Sequence, residues 1–224
     1  MENKIDINDE KWSQSLPHLD DENFDIETDS RIDLMIDIET LGTGEDPALL
    51  QITAIPFDLT DDSRVFNAEF NVVIDIEKLE NINGKTLKWW LNTNKELLTD
   101  LINGKVGDRI ESEGVAIYHL IDFINKLKGQ VYLWGNGILF DNRIIAGKCE
   151  KYGFDYPIFY RNDRDVRTIN ELAGFKLGLK SAEEFRDYVG KTYMTEGEFT
   201  KHNARDDVLY QIKCVQTAYK VLQG

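Results

Sequence analysis

Cysteine is nearly missing from this sequence: Cys149 and Cys214 are the two in 224 residues. They lie far apart and in no metal-type spacing, which excludes a disulfide framework or a zinc centre and predicts free thiols packed in helices. Long apolar runs are also missing, since none approaches the roughly 18–20 residues of a membrane helix. The opening stretch MENKIDINDEKW has neither the basic start nor the apolar segment of a secretion signal, so a cytoplasmic chain without a membrane partner is expected. Positive charge is scarce: 26 basic side chains face 41 acidic ones, for a net charge of −15. Neutralising phosphates takes Lys and Arg, so a histone-like coat on duplex DNA is excluded. A short strand held locally, with metal ions supplying the positive charge, is not.

What is present is enough for a packed core, with 42% apolar and 11% aromatic residues. The length suits one domain, or one domain with an appendage. The charge is unevenly spread. Residues 1–30 carry ten acids against Lys4 and Lys11, a net of −8, and show no sustained period. They read as an acidic N-terminal arm, with the domain proper over 31–224. Between Arg143 and Arg205 the balance turns to +2, from 12 basic and 10 acidic residues.

From Arg31 the pattern becomes that of strands. Ile32–Ile38, Leu49–Phe57 and Val65–Ile74 read as three strands joined by short turns, an antiparallel meander. Helical periodicity follows over Thr86–Leu91, Asn94–Asn103 and Glu111–Leu127. Gln130–Trp134 reads as a short strand with a helix over Leu139–Tyr152 behind it, and Asp165–Thr168 as another before a helix reaching Phe175. Residues 176–199, with three glycines and many charges, read as a surface excursion. A last helix runs from about Asn203 to Leu222. A meander followed by strand–helix alternation predicts an α/β fold with a mixed sheet flanked by helices.

Three places hold acids in arrangements that suit chemistry. Asp37 and Glu39 lie two apart at the end of the first strand, so both project from one face while Ile36 and Ile38 point to the other. Two like charges at the edge of a core are costly unless paired or metal-bound; a strand end meeting water is the plainer reading. The run WGNGILFD then carries Asn136, Phe140 and Asp141, a glycine-rich turn opening a helix. There Asp141 either serves a site or simply complements the helix dipole. Finally, KHNARDD opens the last helix. Asn203 suits the N-cap, with Asp206 at the capping-box position. Five helical residues rotate by roughly 140°, so His202 and Asp207 share a site only if His202 stands outside the helix.

The order Asp37-x-Glu39, Asn136…Phe140-Asp141, His202-x-Ala204-x-x-Asp207 resembles the DEDDh 3′–5′ exonucleases, whose fold is ribonuclease-H-like. Within that superfamily the chain looks closest to the phage and prophage exonuclease A and bacterial exoribonuclease branch. IDIETLGTGEDPALLQITAIPFD, the Trp89-Trp90 pair and Asp165-Val166-Arg167-Thr168 extend the likeness over about residues 31–220. Asp206 also follows His202; the family spacing of five selects Asp207.

The resemblance implies a two-metal phosphodiesterase that releases nucleoside 5′-monophosphates from a free 3′ end, single-stranded or frayed, of DNA more than RNA. It implies that Asp37, Glu39, Asp141 and Asp207 hold two divalent cations, Mg²⁺ or Mn²⁺, and that His202 takes a proton from the attacking water. Thr40, Leu41, Asn136 and Phe140 would touch the terminal nucleotide, although Leu41 and Phe140 also read as ordinary core residues. Of Trp89 and Trp90, one packs and the other rims the cleft; Arg143, Arg164, Arg167 and Lys201 are phosphate contacts or solvated charges. It places the protein in a bacterial or phage-infected cytoplasm. Two other classes stand against the enzyme: a catalytically silent nucleic-acid-binding or adaptor module on the same fold, and an acidic decoy of DNA. The first has no need of intact acids, and the second needs its charge on one broad surface.

Overall fold

The computed structural model describes residues 31–61, 65–195, 197 and 199–224; the acidic arm lies outside the described residues. Six strands form one mixed sheet in the order β4-β3-β2-β1-β5-β6, comprising β1 (Arg31–Thr40), β2 (Leu49–Phe57), β3 (Phe70–Ile74), β4 (Arg109–Glu111), β5 (Gln130–Gly135) and β6 (Asp163–Asp165). β1 pairs antiparallel with β2 and β2 with β3, while β5 and β6 add on parallel to β1. The α-helices among the described residues are α1 (Gly84–Thr93), α2 (Lys95–Ile102), α3 (Glu113–Lys126), α4 (Asp141–Tyr152), α5 (Val166–Lys176), α6 (Ala182–Tyr193) and α7 (Ala204–Gln223), with a 3-10 turn over Ile76–Lys78. The α/β ribonuclease-H-like mixed sheet flanked by helices is therefore present.

Strand β1 sits at the centre and is covered on both faces, which is why it reads as an almost unbroken apolar run. Ile32, Leu34, Ile36 and Ile38 pack with residues of α3 and α4, whereas Met35 packs with Val208, Ile212 and Val215 of α7 and with Val166. The alternation thus sends Asp33, Met35, Asp37 and Glu39 to the α7 side. Cys149 and Cys214 are free and buried in α4 and α7, and burial pushes both thiols up to about 12.

The meander is shorter than its sequence pattern. The expected strand over Val65–Ile74 is confined to Phe70–Ile74, and Val65 contributes only an isolated bridge to Phe57. Pro56 accepts from the Phe66 amide but has no N–H to return, so no ladder grows there. The helix expected from Glu111 starts after Ser112, because Arg109–Glu111 pairs with Val72–Ile74 as β4. The short strand expected at Asp165–Thr168 lies at Asp163–Asp165, and Asp165 caps α5. The surface excursion over 176–199 contains α6, whose Phe185 and Val189 are fully buried against α5 and α7. The charges around that i, i+4 pair mask its apolar stripe.

Candidate active site

Two strand ends and two helix starts converge on one side of β1. Asp37 and Glu39 share its α7-facing side, each about 9% exposed. The pairing with β2 slips between Glu39 and Thr40, a bulge at the last residues before the site. Among the described residues Asp37 has one side-chain partner, the Gln211 amide, whose Nε2 donates to Oδ1 at 2.8 Å. Asp33, two turns of the pleat earlier, is satisfied by Arg31 and the Trp134 indole. The strand thus carries one neutralised acid and two that are not.

Asp141 opens α4 and is 3% exposed. The turn that delivers it depends on glycine. A Cβ at Gly135 would lie 2.3 Å from Oδ1 of Asn142, whose amide nitrogen reaches back to Asp163 and the Leu133 carbonyl. Gly137 has φ +118°, and the Arg167 guanidinium lies over it, 3.2 Å from where a Cβ would be. Asp165 fastens the turn from outside, accepting from the Ile138 amide at 3.3 Å and from the Thr168 amide and hydroxyl.

The start of α7 supplies the remaining groups. Asn203 caps the helix by accepting from the Arg205 and Asp206 amides. Gln51 of β2 accepts from the Ala204 amide and holds this helix end against the sheet. His202 stands before the cap in the left-handed region, φ +70°, and its amide donates to Oδ2 of Asp207 at 2.9 Å. Glu39, His202 and Asp207 offer ligand atoms all within 4.8 Å of one another. The two adjacent acids separate cleanly: Asp207 joins this group, while Asp206 accepts from the Thr200 amide at 2.8 Å. The capping box expected of Asp206 is thereby replaced by a bond beyond the cap.

Burial dominates the electrostatics. It raises Asp37 well above the ordinary carboxylate range, with the charges of Asp141, Glu39 and Asp207 adding to it. Glu39 is raised in the same way, by burial and then by Asp207 and Asp141. Burial lifts Asp141 to about 7, against the Ile38 amide and Arg167, which favour its charged form. Asp207 is raised by burial too. Among the described residues no Lys or Arg forms an ion pair with any of the four. Buried anions without a counter-cation are what a divalent-cation site needs, and hard oxygen donors without cysteine suit Mg²⁺ or Mn²⁺. The residues fit such ions. Burial lowers the His202 pKa, against the pull of Asp207, which favours the neutral imidazole.

The expected nucleotide contacts are less uniform. Thr40 is buried, its hydroxyl donating to the Gly42 carbonyl at 2.6 Å. Leu41 is wholly buried and packs with Trp90, Ala48 and Leu97. Asn136 and Phe140 are half-buried, and Asn136 Oδ1 has no partner among the described residues. Trp90 packs at 1% exposure, and Trp89 is 44% exposed with its ring against that of His202. Arg143 pairs with Glu45, and Arg164 donates to backbone carbonyls and lies over Tyr132. Arg167 and Lys201 are near the acids, favouring the charged forms of Asp141 and Asp207 respectively. Sequence reasoning missed Gln211, one helical turn beyond Asp207 on the same face; that i, i+4 spacing was the available clue.

Residues 32–219 match the family described as 3′-5′ exoribonuclease Rv2179c-like domain. The exodeoxyribonuclease of Enterobacteria phage T4 is 25% identical over 158 residues, 65% of this chain and 63% of that one. The chain therefore spans less than two thirds of that relative's length. Among solved structures, exonuclease I superimposes with a TM-score of 0.61 at 17% identity, over 87% of this chain and 43% of that one. Exonuclease I of E. coli in complex with a dT13 oligonucleotide gives 0.59 at 16%, over 84% and 41%. At such identities these likenesses establish the fold. The family match spans the strand end, the glycine-rich turn and the helix start that bring the acids together, and the chain belongs to this Rv2179c-like family of the DEDDh-like exonuclease superfamily.

Proposed function

We propose that the protein is a metal-dependent 3′–5′ exonuclease that hydrolyses the terminal phosphodiester of a single strand and releases nucleoside 5′-monophosphates. The observation that carries this reading is the convergence of the buried Asp37, Glu39 and Asp141 with the half-buried Asp207, none ion-paired to Lys or Arg among the described residues, beside His202. The four carboxylates would hold two divalent cations, Mg²⁺ or Mn²⁺. Bound there, such ions activate water and neutralise the departing 3′-oxygen.

The chain's own residues do the rest. His202, whose burial favours the neutral imidazole, accepts a proton from the attacking water on a ring nitrogen. The water oxygen bonds to phosphorus as the bond from phosphorus to the 3′-oxygen breaks, leaving a 5′-phosphate on the released nucleotide; the departing 3′-oxygen takes a proton from solvent to become the new 3′-hydroxyl, and His202 returns its own to solvent. Gln211 keeps the Asp37 carboxylate in one orientation, and the turn held by Asp165 does the same for Asp141. Asn136 and Phe140 border the position of the terminal nucleotide, and the backbone of Thr40 and Leu41 shapes its floor.

DNA is the substrate proposed first. The phage T4 relative is named an exodeoxyribonuclease, and exonuclease I is solved with dT13 and dA16 strands; the family description names an exoribonuclease, which makes RNA the alternative. Oligonucleotides of DNA and RNA, labelled at the 5′ or the 3′ end, decide both points when incubated with and without Mn²⁺. A descending ladder from 5′-labelled DNA and immediate mononucleotide release from 3′-labelled DNA, each abolished by EDTA, is the expected result. Internal cuts, or cleavage that EDTA leaves unchanged, would overturn the proposal.

A further inference from the structure

His202 holds a backbone conformation that L residues with a side chain rarely adopt, and something must keep it there. One restraint is the bond from its amide to Asp207. That bond fixes the backbone but leaves the imidazole free to turn. The ring itself meets two indoles. Trp89 lies edge-to-face on it, with centroids 5.0 Å apart and planes at 82°, and Trp90 stands behind at 6.2 Å and 75°. The two indoles meet each other at 5.4 Å and 76°, so the three rings form one T-shaped cluster.

This cluster is anchored to the strand that carries the acids. Trp90 is buried, and its Nε1 donates to the Thr40 carbonyl at 2.9 Å, one residue beyond Glu39. Just before α1, the Asn83 amide donates to the Leu41 carbonyl at 2.7 Å. Helix α1 is thus bound at two points to the end of β1 and presents its indoles to a residue more than a hundred positions later. Trp90 has structural work of its own in the core. Trp89, 44% exposed and making no hydrogen bond through its indole among the described residues, has its ring contacts with Trp90 and His202.

We propose that Trp89 is a positioning residue for His202, holding the imidazole edge-on over the Glu39–Asp207 side of the site. The proposal rests on the exonuclease reading for its consequence in turnover, and on geometry alone for the contact. An exposed aromatic ring at a cleft rim also suits stacking on a nucleobase. The two roles differ in what they affect. A stacking platform contributes to substrate binding and appears in KM, whereas a misplaced proton acceptor slows the chemical step and appears in kcat.

The test uses Trp89→Ala and Trp89→Phe in the full chain, with two readouts. In steady-state hydrolysis of a single-stranded oligonucleotide, Trp89→Ala is expected to lower kcat by about 10–100-fold, the scale of a mispositioned reacting group, with KM within about twofold. Trp89→Phe, which keeps an aromatic edge at the same place, should recover most of the loss. In the second readout, the ring-proton resonances of His202 are followed by NMR in the metal-free protein and assigned by their disappearance in His202→Ala. Loss of the indole ring current should move them in Trp89→Ala and less in Trp89→Phe. A raised KM with unchanged kcat, or His202 resonances that stay in place, would overturn the proposal. A wild-type protein without exonuclease activity would defeat the functional reading instead, and the NMR result would then decide the contact by itself.

Discussion

Replacing Asp141 by Asn removes one negative charge from a site in which, among the described residues, no Lys or Arg is ion-paired to an acid and Arg167 offsets the burial only in part. The Asn oxygen can still accept from the backbone, so the change isolates the charge. Burial lifts the folded carboxyl to about 7, while an unfolded Asp titrates near 3.9. A carboxyl that protonates more readily when folded stabilises the fold fully below the unfolded value and loses that contribution as pH rises through the folded one. Over the whole interval the difference is about 3 pH units, or about 4 kcal/mol. Between pH 5 and 8 it is about 3 kcal/mol, a ceiling because Asp37, Glu39 and Asp207 compete for the same protons. For a chain of this size that corresponds to roughly 6–12 °C in Tm. Thermal unfolding in EDTA from pH 5 to pH 8 should therefore show a steeper loss for the wild type than for Asp141→Asn, the variant being the more stable at pH 8. Adding Mn²⁺ at pH 8 should raise the wild-type Tm more than that of the variant. Parallel pH slopes in EDTA, or a variant less stable than wild type at pH 8, would refute the reasoning.

Three further outcomes follow from the same geometry. His202→Ala should slow turnover by roughly 10²–10⁴-fold while Mn²⁺ affinity, measured by calorimetry, barely changes; a collapse of affinity would make His202 a ligand within the Glu39–Asp207 group. Asp207→Asn should abolish turnover, whereas Asp206→Asn, whose amide oxygen can still accept from the Thr200 amide, should stay within a few-fold of wild type in the same assay. Lys148 is 1% exposed and pairs with Asp46 and Glu113, the latter also accepting from the Leu49 amide. Lys148→Met leaves Glu113 buried with weaker partners and should cost about 3–5 kcal/mol in urea unfolding; adding Glu113→Gln should recover part of the loss.

Much of this molecule is written in local pattern. The apolar run of β1, with acids at alternate positions near its end, predicts a buried central strand and two carboxylates on one face, and both are there. WGNGILFD predicts a turn that launches a helix with an acid in its first turn, because glycine permits the positive φ at 137 and the close approach of Asn142 at 135. Asn203 predicts the start of α7 and leaves His202 outside the helix. What stayed hidden depends on partners distant in sequence. Phe185 and Val189 form a stripe only once α5 and α7 are in place to cover it, and their charged neighbours outweigh two apolar residues in any local reading. Arg109–Glu111 becomes a strand because β3 offers it an open edge. The role of Gln211 exists only through a contact with residue 37, and the Trp89–His202 pair only through α1 seating on β1.

The proposal turns on four clustered carboxylates that would hold divalent cations and one imidazole, acting together on a terminal phosphodiester. Its most direct test is the release of mononucleotides from a 3′-labelled single strand in Mn²⁺ by the wild type and by Asp37→Ala, with thermal unfolding recorded in parallel. The account predicts metal-dependent release of nucleoside 5′-monophosphates by the wild type and none by the variant. It also predicts a variant Tm in EDTA equal to or above that of wild type, because one of the mutually repelling buried acids is gone. Near-wild-type release by a folded Asp37→Ala protein would contradict it.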